Sequence, residues 1–115
     1  SDRTLEITFR GEAPVSLSAE LLRVLSPSAE VQGHGPGQEV LQTGKAEVGI
    51  TAIEPVGHYA VQISFDDGHS SGLYTWTYLA QLASERQILW QRYLEKLDDA
   101  GASRDPLTDI VRVIG

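Results

Sequence analysis

The sequence predicts an α+β domain: a small, mainly antiparallel sheet with one long C-terminal helical region and one short helix. Three observations carry that prediction. Apolar residues alternate with polar ones at Leu5, Ile7 and Phe9, and again at Val61, Ile63 and Phe65, which is the period of a strand with one buried face. Asp67-Gly68 follows the second run, and glycine accepts the positive φ that a tight hairpin turn demands. From Thr75 onward the period lengthens: Tyr78, Leu79 and Leu82 line one helical face, followed by Ile88, Leu89, Tyr93, Leu94 and Leu97. At 115 residues the chain is expected to form one domain, 1–115, with 102–115 as a C-terminal tail.

The elements follow in order. After the first strand, Gly11 marks a turn and Val15-Ser16-Leu17 returns as a second short strand. Ser18 is placed to cap a helix over 19–25, where Leu21, Leu22 and Leu25 share a face, and Pro27 stops it by disfavouring helical backbone at the preceding residue. Residues 26–44 are rich in Gly, Ser, Gln and Pro, with Gly33-His34-Gly35-Pro36-Gly37 at the centre, and read as a loop. Strand character resumes over 48–54, breaks at Pro55-Val56-Gly57, returns over 59–65, and ends in a short strand over 72–74 that pairs back. The helical region 75–100 contains Ser84 and Gln87 in capping-box spacing, which predicts a break or restart at Ala83-Ser84; Gly101 then ends it. In the tail, Leu107, Ile110, Val111, Val113 and Ile114 are expected to dock on the core or add an edge strand. Both halves share an order of strand, turn, short strand, N-cap and helix, with Ser18 aligned on Thr75 and Leu22 on Leu79, which raises an internal repeat as an expectation.

Composition excludes several functions. The net charge is −7 and the nine Lys and Arg are scattered, so the clustered basic surface that phosphate binding requires is missing and no nucleic-acid partner is expected. No apolar run approaches the roughly 18 residues needed to cross a bilayer, so no membrane is expected either. The first residues lead straight into a strand, without a signal-peptide pattern. Cysteine is absent, which removes disulfides, thiolate metal sites and thiol nucleophiles and fits a cytoplasmic location.

Asp66-Asp67-Gly68-His69 is the arrangement with most chemical promise, because a carboxylate beside an imidazole can orient it and raise its basicity. The plainer reading is that Asp67-Gly68 makes the turn and leaves the His69 ring in solvent. His69 with His34 or Asp67 is the metal set the sequence leaves open, for zinc or iron, although His34, His58 and His69 lack local ligand spacing. The glycine-rich loop has no phosphate-binding lysine, and Ser26 and Ser28 lack a G-x-S-x-G elbow. No catalytic residue is assigned, no cofactor is expected and the chain is not read as an enzyme. A protein partner or a homodimer is the expectation, with His34 in the 32–38 loop and the aromatic side chains Trp90 and Tyr93 as contact anchors.

Two phrases together carry a family resemblance: Leu21-Leu22-Arg23-Val24-Leu25-Ser26-Pro27-Ser28-Ala29-Glu30-Val31 and Phe65-Asp66-Asp67-Gly68-His69-Ser70-Ser71. Over residues 4–82 the chain resembles the gamma-butyrobetaine hydroxylase-like N-terminal domains, a family of unknown function also called DUF971, and in particular its small stand-alone bacterial branch. In the hydroxylases this domain precedes an iron- and 2-oxoglutarate-dependent catalytic domain and binds a structural zinc through three cysteines and a histidine. The resemblance lays those positions on Ser26, Ser28, Val31 and His69, and so implies the scaffold with a degenerate metal site. Hydroxylase chemistry belongs to the separate domain and is not implied. The same domain type is appended to some Mrp-type ATPases, which implies an accessory role near iron–sulfur assembly.

Overall fold

The computed structural model describes residues 2–107. Its elements are β1 (Thr4–Ile7), β2 (Val15–Ser18), α1 (Ala19–Val24), α2 (Ala29–Gln32), β3 (Ile50–Val56), β4 (Ala60–Phe65), β5 (Leu73–Thr75) and α3 (Trp76–Ala100). They form two antiparallel sheets, β1-β2 and β3-β4-β5, with helices packed on them, which is an α+β fold. Leu5 faces Leu17 across the first sheet and Ile53 faces Ile63 across the second.

The starts of α1 and α3 are fixed by hydroxyl caps. The Ser18 side chain accepts from the Leu21 amide, and Thr75 accepts from the Tyr78 amide, each at 3.0 Å. The order strand, turn, strand, cap, helix therefore occurs twice, ending in α1 and in α3. α3 runs 25 residues without the break expected at Ser84. There the hydroxyl donates back to the Gln81 carbonyl at 3.1 Å and stays within the helical ladder instead of opening a new one. Gly101, at φ 64°, closes α3 in the left-handed conformation that glycine adopts freely.

Two further expectations are corrected. β3 does not break at Pro55 but continues through it, with Pro55 opposite Val61. β3 is an edge strand, where a missing backbone N–H is tolerated. The 26–44 loop also contains the single turn α2, too short to show any periodicity in sequence.

Leu17, Leu22, Ile63, Tyr74, Leu79 and Leu82, all at most 1% exposed, form one core from both sheets, α1 and α3. Each such side chain contributes about 1.5–3 kcal/mol through burial. A smaller cluster of Val24, Tyr93 and Leu97 extends the core along α3 and is joined by Ala102. The start of the tail docks here through Ala102, Ser103 and Arg104, whereas Leu107, expected to dock on the core or add an edge strand, is 66% exposed. Gly44 and Ala46 donate to the carbonyls of Ser103 and Arg104, and the Arg104 guanidinium grips the buried Glu20 at 2.7 and 2.8 Å while lying 5.0 Å over the Trp90 ring. The tail residues Ile110, Val111, Val113 and Ile114 lie outside the described residues. Among the described residues no helix is long and apolar enough to cross a membrane.

Candidate functional site

The β4–β5 connection decides where His69 points. Gly68 donates to the Phe65 carbonyl at 3.1 Å, and Phe65 donates to the His69 carbonyl at 2.9 Å. With Gly68 at φ 90°, this is a three-residue hairpin loop ending in a glycine bulge. The chain then leaves the ladder until Leu73, and the Gln62 side chain spans the gap by donating to the Ser70 carbonyl at 2.6 Å. The detour turns the imidazole inward, where His69 is 6% exposed. The solvent-facing ring of the plainer sequence reading is thereby corrected.

Opposite stands the Ser26-Pro27-Ser28 bend between α1 and α2. His69 Nε2 lies 2.9 Å from Ser26 Oγ and 3.3 Å from Ser28 Oγ, and Ser26 Oγ donates to Ser28 Oγ at 3.2 Å. The Ser28 hydroxyl is thus engaged with the cluster, and α2 starts without a side-chain cap. On the far side of the ring Nδ1 is 3.4 Å from the Glu30 carboxylate. A neutral imidazole with its proton on Nδ1 satisfies Glu30 and accepts a serine proton at Nε2. Burial and then the Arg23 cation hold His69 below its ordinary value of 6.5, against the opposing pull of Glu30 and Asp67, so the ring is kept neutral.

Serine, histidine and carboxylate in this order resemble a hydrolytic triad, but the exposure is inverted. Ser26 is completely buried and Ser28 is 6% exposed, whereas the Glu30 side chain is 70% exposed. An acyl-transfer nucleophile has to meet substrate, and here the oxygen is sealed inside while the carboxylate faces water. Val31, 3% exposed, sits on the adjoining turn and donates its amide to the Ser28 carbonyl at 3.1 Å. Three of the four positions singled out in the sequence therefore touch, and the fourth is one turn away.

The model of the family described as gamma-butyrobetaine hydroxylase-like, N-terminal, matches residues 1–80. The chain belongs to this family. A protein solved by NMR in solution is 55% identical over 91% of this chain and 82% of its own, with a TM-score of 0.79. A crystal structure of a DUF971-family protein of unknown function from Acidithiobacillus ferrooxidans is 38% identical over 72% of this chain and 82% of its own, with a TM-score of 0.58. No curated protein matched the chain.

The structural zinc that the resemblance associates with gamma-butyrobetaine hydroxylase-like N-terminal domains does not fit these residues. Two hydroxyls that stay protonated near neutral pH, one isopropyl group and one imidazole do not make a zinc donor set. The alternative set of His69, His34 and Asp67 is not assembled either. His34 is exposed on its loop, as is His58, and Asp67 is bound by cations. Among the described residues no three His, Asp or Glu side chains gather in a way that could hold a metal ion. Asp67 supports His69 differently from the expectation: its Oδ1 accepts the His69 backbone amide at 3.1 Å, while Oδ2 takes Arg23 Nε at 2.8 Å and Lys45 Nζ at 2.7 Å. Burial raises the Asp67 carboxyl, but Lys45, the His69 amide and Arg23 outweigh it and bring the pKa down to about 2. Arg23, whose guanidinium is buried against Asp67, is the member of this cluster that the sequence reading left out, although an arginine within the leucine-rich stretch of α1 is its signal.

Of the aromatic residues expected as contact anchors, one is buried and the other partly covered. Tyr93 is 4% exposed, with its hydroxyl donating to the Gln42 carbonyl at 2.8 Å, and belongs to the core. Trp90 is half-buried between the Tyr93 ring, at 5.4 Å, and Arg104. The aromatic side chains that face solvent are Tyr59 at 56% and Trp76 at 44%.

The cluster has no spare room. A Cβ on Gly72 would lie 2.5 Å from Ser26 Oγ and 3.3 Å from Pro27 Cδ. Ser26 Oγ is tied to His69 and Ser28, so it cannot swing aside freely. Gly72→Ala is expected to destabilise the fold by about 1–3 kcal/mol, the usual cost of overpacking. Urea denaturation measures it, and an unchanged midpoint would contradict the close approach.

Proposed function

We propose that this domain is a non-catalytic interaction module whose Ser26–Ser28–His69 cluster serves the scaffold and whose exposed aromatic pair engages a protein partner. The observation that carries the reading is the pair itself. The Trp76 amide donates to the Tyr59 carbonyl and its indole N–H to the His58 carbonyl, both at 3.1 Å, so the β3–β4 turn and the start of α3 hold two large rings at one surface. Tryptophan and tyrosine are enriched at binding hot spots because they bury large area with little loss of side-chain freedom. Locking their backbone in advance lowers the ordering cost of association. The sealed serine–histidine cluster supports the non-catalytic half of the reading.

A net charge of −7 favours a partner with a basic surface. By family association, a component of iron–sulfur assembly is the first partner class to test. Trp76→Ala and Tyr59→Ala are expected to leave the fold intact and to weaken retention of a purified partner about tenfold or more, the range of a hot-spot loss. Captured partners are identified from extract with the native chain and then measured by titration with each variant. Equal affinity for native and variant chains would reject the surface. If the partner is a second copy, the molar mass in solution doubles and the same substitutions return it to one chain.

A further inference from the structure

A second feature lies on the other side of α2 from the His69 cluster. The ends of α1 and α2, the segment 39–42 and the middle of α3 line a partly open cavity of about 400 Å³. That volume falls within the roughly 300–1,000 Å³ of small-molecule sites. Its apolar walls are Val24 from α1 and Leu25 just after it, Val31 from α2, and Leu89 and Tyr93 from α3. Val40 and Leu41 close it as a strap fastened at both ends, by the Val40 amide on the Val31 carbonyl at 2.8 Å and by the Tyr93 hydroxyl on the Gln42 carbonyl at 2.8 Å.

The uncharged polar side chains of the lining are already engaged. Gln32 Nε2 donates to the Ser26 carbonyl at 2.9 Å and Gln42 Nε2 to the Val40 carbonyl at 3.0 Å. What remains is the charge on the rim, where Arg92 and Lys96 stand one turn apart on α3 beside Glu39. The Glu39 carboxyl is held below its ordinary value by its own backbone amide, by that of Gly37 and by Lys96, so Lys96 already has a negative neighbour. Arg92 is exposed and makes no hydrogen bond or ion pair with any described residue. Two cations against one carboxylate leave the rim one positive charge, on a chain whose net charge is −7.

We infer that this cavity binds a small monocarboxylate with an apolar tail, the tail among Val24, Leu25, Leu89 and Tyr93 and the carboxylate on the Arg92 guanidinium. An arginine fork matches a carboxylate in two parallel hydrogen bonds. A doubly charged phosphate is disfavoured by Glu39 and by the acidic chain as a whole. A fully apolar ligand leaves the Arg92 charge unanswered. The fastened strap suits a ligand of limited length rather than an extended peptide.

The test is a titration of the isotope-labelled full chain with sodium octanoate, followed through backbone amide shifts. Saturable shifts are expected at Val31, Val40, Leu89 and their neighbours, with 1-octanol binding more weakly. Arg92→Gln, an exposed change that leaves the fold in place, is expected to weaken octanoate about tenfold, as for loss of a charge-assisted bond. The inference is overturned by no saturation up to about 10 mM, by equal binding of octanol, by undiminished binding to Arg92→Gln, or by shifts centred on Tyr59 and Trp76 instead.

Discussion

Asp67→Asn is expected to cost roughly 2–4 kcal/mol of stability although it alters a single turn residue and almost no volume. The reason is Arg23. Its side chain is 9% exposed, its Nε rests on Asp67, and its Nη1 is buried without a hydrogen-bond partner among the described residues. Removing the carboxylate leaves a guanidinium out of water with no compensating charge, and breaking a buried pair from one side usually costs about 3–5 kcal/mol. The lower figure applies here because Asp67 and Lys45 each keep 21% side-chain exposure and water answers part of the change. Asparagine retains an oxygen for the His69 amide, so the substitution isolates charge from turn geometry. Urea denaturation near pH 7 reads the effect, and a loss below about 0.5 kcal/mol, the level of an ordinary surface change, would mean that Arg23 does not depend on Asp67.

The same pair sets an acid limit. Asp67 titrates near 2 in the folded chain against an ordinary 3.8, so between those values the unfolded chain takes up the proton more readily. The stability it contributes is complete above about pH 5 and is lost as pH falls through 3.8 towards 2. His69 acts in the same direction at higher pH. Its folded value lies below 6.5, so acidification below 6.5 favours the unfolded chain, which accepts the proton on the imidazole. Denaturation midpoints are expected to fall from pH 7 to pH 5 through His69 and again below pH 4 through Asp67. Asp67→Asn is expected to reduce the second fall, leaving the part that the depressed Glu39 carboxyl contributes, and to keep the first.

What the sequence disclosed and what it hid follow a physical line. The caps at Ser18 and Thr75, the alternation in β4 and the glycine at the end of α3 depend on near neighbours in the chain, and each was visible there. The course of β3 through Pro55 was not, because an edge position is a property of the sheet rather than of the strand. The exposure of Trp76 and the burial of Tyr93 depend on the fold in a similar way. Trp76 stands three residues before Leu79 and shares its stripe, but it occupies the first turn of α3, beside a hairpin turn that offers it only backbone carbonyls. Tyr93 looked available as a contact residue until Val24 and the segment around Gln42 were seen to cover it. At the site, the bend and the hairpin were both legible. Their meeting across a separation of 43 residues came from the resemblance, since neither local pattern contains the other.

Replacing Ser26, Ser28 and Val31 together by cysteine is expected to turn the serine–histidine cluster into a zinc site. Ser26 Oγ, Ser28 Oγ and His69 Nε2 already form a triangle with sides of 2.9 to 3.3 Å. Zinc bonds of about 2.0–2.3 Å in a tetrahedron keep ligand atoms on the order of 3.5–3.8 Å apart, so the triangle has to open by roughly half an ångström. Thiolates ionise where serine hydroxyls do not, and His69 is already held neutral, the form that coordinates. The substituted chain is expected to retain about one zinc per molecule through desalting, with a thermal midpoint that rises on zinc addition and falls with a chelator. Adding His69→Ala to the three cysteines should weaken zinc by a large factor, whereas Glu30→Gln should change it little. Should the metal-free variant be unfolded, zinc-dependent recovery of its circular dichroism gives the same answer. If the three cysteines bring no zinc, or if the zinc they bring is indifferent to His69, then the serine–histidine cluster does not stand where a metal would, and its hydrogen bonds are a solution this scaffold reached independently.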